Sequence, residues 1–274
     1  MNGIAFGQFY PSNSLLHKLD PRIKIVCATI YIVLCFLCQN VFSFALLLLS
    51  SLLLVMLSKI PLKIVLRSIK AIIFIMIFTA IINIFMTSGK PEELLFSWNF
   101  IKIYKSGLYN AVFIVVRIVS MIIGTGILLT YTTTPIQLTD GLEQLLSPLK
   151  VFHIPVHEFA MMMTIALRFI PTIIEETQKI MSAQKARGAD FTNGSISKRA
   201  KALIPILIPL FISAFRRAGE LATAMTCRCY RGGEGRTRMT VLRTTYKDIL
   251  LLLSMLALSV AIVLINIYAI GYSM

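Results

Sequence analysis

The residues best placed to do chemistry in this 274-residue chain are two arginines with matching neighbours. Ala183-Gln-Lys-Ala186-Arg187-Gly188 and Ala224-Met-Thr-Cys227-Arg228-Cys229 both read Ala-x-x-small-Arg-small. A guanidinium is a permanently charged, planar fork of N–H donors that fits a carboxylate or a set of carbonyl oxygens. Small flanking residues let such a fork enter a groove on another molecule. Each copy falls at the C-terminal end of a predicted helix, where an arginine can also simply complement the helix dipole. The dipole accounts for either copy taken alone; its repetition with the same flanks favours docking.

Other candidates are sparser. Arg117 lies inside an apolar run, about 15 Å from the nearer end of its helix at 1.5 Å per residue. A charge at that depth in a membrane is costly and faces the bundle interior or a wet site. Tying helices together is the favoured role and substrate contact the rival one. Met161, Met162 and Met163, with Met181, offer a soft apolar surface suited either to a partner or to an ordinary core. His17, His153 and His157 have no metal-like companions, and no metal site is expected. Cys35-x-x-Cys38 has redox spacing but no surrounding βαβ pattern, so it reads as membrane core. Gly232-Gly233-Glu234-Gly235-Arg236-Thr237 is glycine-rich yet lacks the Gly-Lys-Ser/Thr ending that holds phosphate and Mg²⁺. No catalytic residue and no bound cofactor are expected in this chain.

The elements that must position these residues follow from composition. The chain is 57% hydrophobic and only 14% charged, where soluble domains carry about 25% charged residues. Its 27 Lys plus Arg against 12 Asp plus Glu give a net charge of +15. In a membrane protein that excess collects in cytoplasmic loops, so a lipid surface and not nucleic acid is the expected partner. The apolar run from Ile25 to Leu57 would measure roughly 50 Å as one helix, too long for about 30 Å of hydrocarbon. A turn at Gln39-Asn40 divides it into spans of about 22–39 and 41–58. Lys18, Arg22 and Lys24 before the first, and Lys59, Lys63, Arg67 and Lys70 after the second, then share one side. Further spans are expected at about 65–86, 107–130 and 249–270, with a loop carrying Gly89, Pro91 and Trp98 between the third and fourth.

With the N-terminus cytoplasmic, five spans leave the C-terminus outside. Of the 27 basic residues, 16 lie between Thr132 and Lys247, which assigns that segment to the cytoplasm. Thr134-Pro135 and Ile154-Pro155 open helices there. The second passes Pro171 and stops at Gly188. Asn193-Gly194-Ser195 is a turn, and a last helix runs from Ile196 through Pro205 and Pro209 to about Arg228. The apolar runs at 159–170 and 202–215 are short for spans and are expected to be interfacial, with a membrane hairpin as the alternative.

Four features stand together: Ser14-Leu-Leu-His17-Lys-Leu-Asp20-Pro21-Arg22-Ile-Lys24, Thr133-Thr134-Pro135, Leu167-Arg168-Phe169-Ile170-Pro171-Thr172 and the two arginine signatures. In these the chain resembles the transmembrane T component of energy-coupling factor (ECF) ABC transporters. The first signature, Ala186-Arg187-Gly188, matches fully. In the second, Cys227 stands for the usual Ala and Cys229 for the usual Gly, which puts a left-handed glycine position there in doubt. The resemblance implies that the arginine-tipped helix ends dock on two cytosolic ABC-type ATPase subunits, where ATP and Mg²⁺ would be bound. It implies that a membrane-embedded S component captures the substrate. On that carry-over, Ala183, Ala186, Arg187, Gly188, Ala224, Cys227, Arg228 and Cys229 form the docking sites.

The expectation is therefore an all-α, multi-pass protein of the cytoplasmic membrane. Residues 1–131 would hold the N-terminal spans, 132–247 a cytoplasmic coupling-helix region, and 248–274 the last span. Its function would be non-catalytic coupling of ATP-driven change to uptake of vitamins or other micronutrients. The rivals are a stand-alone permease, which needs polar groups converging within the membrane, and an intramembrane enzyme, which needs paired catalytic groups there.

Overall fold

The computed structural model describes residues 9–86, 94–98, 101–189, 191, 195–233, 242 and 244–272. The expected turn at Asn193-Gly194-Ser195 lies largely outside them, as do Gly89 and Pro91 of the expected loop and residues 234–237 of the glycine-rich stretch. The chain forms two compact units: Met1–Leu142 with Val241–Met274, and Glu143–Thr240.

The first unit is a helix bundle. It contains α1 (Pro21–Leu37), α2 (Val41–Ser58), α3 (Leu62–Met86) and an antiparallel hairpin of β1 (Leu94–Trp98) and β2 (Ile101–Tyr104). Next come α4 (Lys105–Thr125), which continues as a π-helical segment Gly126–Tyr131, and the start of α5 (Pro135–Leu145). The last helix of the chain, Tyr246–Tyr272, closes the unit. Helix starts follow sequence chemistry. Asp20 caps α1, its carboxylate accepting the Arg22 N–H at 3.0 Å, with Pro21 at the first helical position. At α5, Thr134 Oγ1 accepts the Gln137 N–H at 3.3 Å and Gln137 Oε1 accepts the Thr134 N–H at 3.2 Å, a reciprocal capping box.

Lipid is as apolar as leucine, so small residues and polar links, more than apolar burial, bring such helices together. On α4, Gly107 with Ala111 and Ser120 with Gly124 form two buried pairs, each at a four-residue spacing. Gly124 admits Tyr31 of α1 so closely that a Cβ there would lie 2.1 Å from Tyr31 Cε1. Lys24 is buried, its ammonium donating to the Thr132 carbonyl at 3.0 Å and to Thr133 Oγ1 at 3.2 Å. Asp248, also buried, accepts the Asp20 N–H at 2.7 Å and the Thr245 N–H at 2.7 Å. The opening motif around Asp20 and Lys24 thus meets Thr133 and the start of the last helix through charged hydrogen bonds. Cys27, Cys35 and Cys38 are free and fully buried in this bundle.

The second unit contains a short 3₁₀ turn at Ser147–Phe152, then α6 (Val156–Ala186) and α7 (Ile196–Cys227). With these introduced, the last helix is α8. The apolar runs at 159–170 and 202–215 are embedded in these two helices of 31 and 32 residues. Among the described residues, six helices are long and apolar enough to cross a membrane: α2, α3, α4 with its π segment, α6, α7 and α8. Of the five expected spans, α2, α3, α4 and α8 are among these, and α1, with 17 residues, is at the short end of what crosses a membrane. The additions are α6 and α7, whose short apolar runs sit within longer helices. The fold is that of a polytopic helical membrane protein, with one short hairpin in addition.

Candidate functional site

The two arginine signatures end their helices in the same way. After α6, Arg187 is the C-cap, the Gly188 N–H donates to the Lys185 carbonyl at 3.0 Å, and the Ala189 N–H to Gln184 at 3.0 Å. After α7, Arg228 is the C-cap, the Cys229 N–H donates to Thr226 at 2.9 Å, and the Tyr230 N–H to Met225 at 3.0 Å. Both are Schellman endings, in which crossed bonds satisfy the last carbonyls and the residue after the cap turns left-handed. Gly188 has φ +85° and Cys229 φ +55°. This corrects the expectation at position 229: the left-handed conformation is kept although a cysteine occupies it. Such a conformation costs a side chain about 1 kcal/mol. Both arginines are exposed, as are Ala183, Ala186, Gly188, Ala224, Cys227 and Cys229.

The helices bearing these tips run in opposite senses. Near the start of α6, Met161 and Ile165 line one cavity with Leu221, Met225 and Arg228 of α7, whereas further along α6 Glu176 meets the earlier residue Ser213 of α7. At the crossing, Glu176 accepts from the Ser213 hydroxyl and from Arg217 Nη2, the latter at 2.8 Å. Arg187 and Arg228 each follow this ion pair by eleven residues, roughly 16 Å of helix. The tips therefore stand at opposite ends of the pair. Beside the crossing lies an apolar cavity of about 520 Å³. A second cavity, of about 660 Å³, opens beside the α7 tip and is lined by Met161, Arg168, Arg228, Tyr230 and Arg231.

The methionines are divided. Met161 borders that second cavity, Met162 and Met163 are exposed, and Met181 lies about 30 Å further along α6 at 1.5 Å per residue. They do not make one continuous surface. Among the described residues, no group of three or more His, Cys, Asp or Glu side chains is arranged to hold a metal ion. His157 instead pairs with Glu143 at 3.0 Å.

Arg117 joins α4 to the end of α1 and to α2. Its Nη2 donates to the Cys38 carbonyl at 2.9 Å, satisfying a free acceptor at the end of α1, and the guanidinium lies 5.5 Å from the Phe44 ring centroid. Sequence reading missed its counterpart. Asn266 of α8 donates to the Leu37 carbonyl at 2.7 Å and accepts from the Ser43 hydroxyl at 2.8 Å and from Asn40 Nδ2 at 3.2 Å. A polar residue in an otherwise apolar span was the available signal. The Glu176–Ser213–Arg217 link was likewise missed, although its ion pair repeats the interval between the two tip arginines.

Residues 12–241 match the family model for CbiQ, described as cobalt transport protein. The chain is 55% identical to the energy-coupling factor transporter transmembrane protein EcfT of Ruminiclostridium cellulolyticum, over 90% of this chain and 91% of that one. It is 49% identical to the protein of the same name from Clostridium kluyveri, over 93% and 94% of the two chains. With the Bacillus subtilis protein the figures are 48% identity over 94% and 97%. The chain belongs to the CbiQ cobalt transport protein family and is a transmembrane T component of energy-coupling factor transporters.

Proposed function

We propose that this T component couples two cytosolic ABC-type ATPase subunits to a membrane-embedded, substrate-binding S component, driving uptake of vitamins or other micronutrients. The carrying observation is the pair of like arginine tips at opposite ends of two antiparallel helices. Two equivalent handles facing apart suit two equivalent partner grooves better than one. Arg187 and Arg228 would present the charged fork, and Ala183, Ala186, Gly188, Ala224, Cys227 and Cys229 would allow close approach. ATP and Mg²⁺ would be bound and hydrolysed in the ATPases, this chain binding no cofactor itself.

The excess of basic residues between Thr132 and Lys247 supports a cytoplasmic position for the tips and the N-terminus, with the C-terminus outside. A change in ATPase separation would move one tip relative to the other. It would act on the S component only through differential affinity for the two arrangements. Met161, Met162 and Met163 are the proposed S-component contacts on α6, with Met181 nearer the first tip.

Charge reversal tests the docking roles. In Arg187→Glu and Arg228→Glu chains, membrane insertion should persist while co-purification of the ATPases falls, most in the double variant. Full recovery of both ATPases with the double variant would refute the assignment.

A further inference from the structure

Arg117 is held by the Cys38 carbonyl, yet most of its donors are unused. Its Nε is buried with no hydrogen-bond partner, and among the described residues it forms no ion pair. The guanidinium borders a cavity of about 310 Å³ shared with Gln39, Asn83 and Asn110. These come from separate places: Gln39 from the α1–α2 turn, Asn83 from the last turn of α3, and Asn110 from the second turn of α4. Asn83 spends one amide hydrogen on the Thr79 carbonyl at 2.9 Å. The side chains of Gln39 and Asn110 make no hydrogen bond among the described residues. Phe44 and Phe113, stacked at 4.8 Å, form an apolar wall.

An uncompensated guanidinium within a membrane helix calls for a counter-anion. Three carboxamides around it multiply the donors available to one multi-oxygen anion. All three sit near helix ends. We propose that this cavity binds a phosphate oxyanion, its oxygens on the free edge of Arg117 and on the amides of Gln39, Asn83 and Asn110. The phosphate can belong to a lipid headgroup or be free, and the two sources are separable by experiment.

The full-length chain in detergent would be titrated with dihexanoyl-phosphatidylglycerol, with inorganic phosphate, and with neutral dihexanoylglycerol. Binding of the two phosphates would be followed by ³¹P NMR line broadening, and all three probes by thermal shift. Saturable binding of either phosphate probe is expected, weakened about tenfold in Arg117→Gln, Asn110→Leu and Gln39→Leu by loss of a hydrogen bond to a charged group. Binding of the lipid alone identifies a headgroup, and binding of both identifies a site open to free phosphate. Asn110→Leu and Gln39→Leu leave the Arg117–Cys38 bond in place, so they decide the matter if Arg117→Gln does not fold. Affinity unchanged in those two variants, equal protection by neutral dihexanoylglycerol, or no binding of either phosphate overturns the proposal.

Discussion

Gly188 and Cys229 occupy the same left-handed position after their tips, one as glycine and one with a side chain, so opposite substitutions should have opposite effects. Nothing lies within 4 Å of a Cβ built on Gly188. Gly188→Ala therefore meets no clash, and its cost is that of placing a side-chain-bearing residue at φ +85°, about 1 kcal/mol. Cys229→Gly removes that cost at φ +55° but adds freedom to the unfolded chain, leaving a gain of up to about 0.5 kcal/mol. The amides to watch close the two turns: Ala189 N–H on Gln184, and Tyr230 N–H on Met225, both at 3.0 Å. Under hydrogen exchange of the detergent-solubilised chain, 1 kcal/mol of local opening is about a fivefold change in rate. Ala189 should exchange about fivefold faster in Gly188→Ala, and Tyr230 up to about twofold slower in Cys229→Gly. Faster exchange at Tyr230 in Cys229→Gly would refute the reasoning that the tips share one strained geometry.

Two further outcomes concern the bundle. Gly124→Ala would drive a methyl into the fully buried Tyr31 ring and should cost about 1–3 kcal/mol. Thermal unfolding in detergent checks this, and Tyr31→Leu in the same chain should return part of the loss. Asn266→Leu strands the Leu37 carbonyl and the Ser43 hydroxyl and should cost about 1–3 kcal/mol. Faster proteolysis at the α1–α2 turn would report it, and unchanged protection would show that the contact contributes little.

What the sequence made legible was local. The Thr134-Pro135 start, the helix break at Gln39-Asn40 and the glycine stop after Arg187 each depend on residues within one turn of one another. The left-handed Cys229 was hidden because cysteine carries no signal for that conformation; only its likeness to the first signature pointed there. The convergence of Arg117 with Gln39, Asn83 and Asn110 was illegible for another reason. It depends on how α3 and α4 are rotated about their axes, which apolar composition leaves undetermined when a helix is hydrophobic all round. Asn266 is separated from the turn it secures by most of the chain, so no pattern in sequence joins them. The extents of α6 and α7 were legible as well, from Ile154-Pro155, Gly188 and Ile196; what their short apolar runs did not reveal is that each whole helix is long and apolar enough to cross a membrane.

The second tip carries its own probe for the central claim. Cys227 and Cys229 are exposed, whereas Cys27, Cys35 and Cys38 are buried and serve as internal references. Maleimide labelling, read residue by residue by mass spectrometry, would compare the chain alone with the assembled complex containing the ATPases. Gripping of the α7 tip by an ATPase predicts rapid modification of both thiols in the isolated chain and strong protection in the complex, relieved by Arg228→Glu. Equal labelling of Cys227 and Cys229 in the two samples would contradict it.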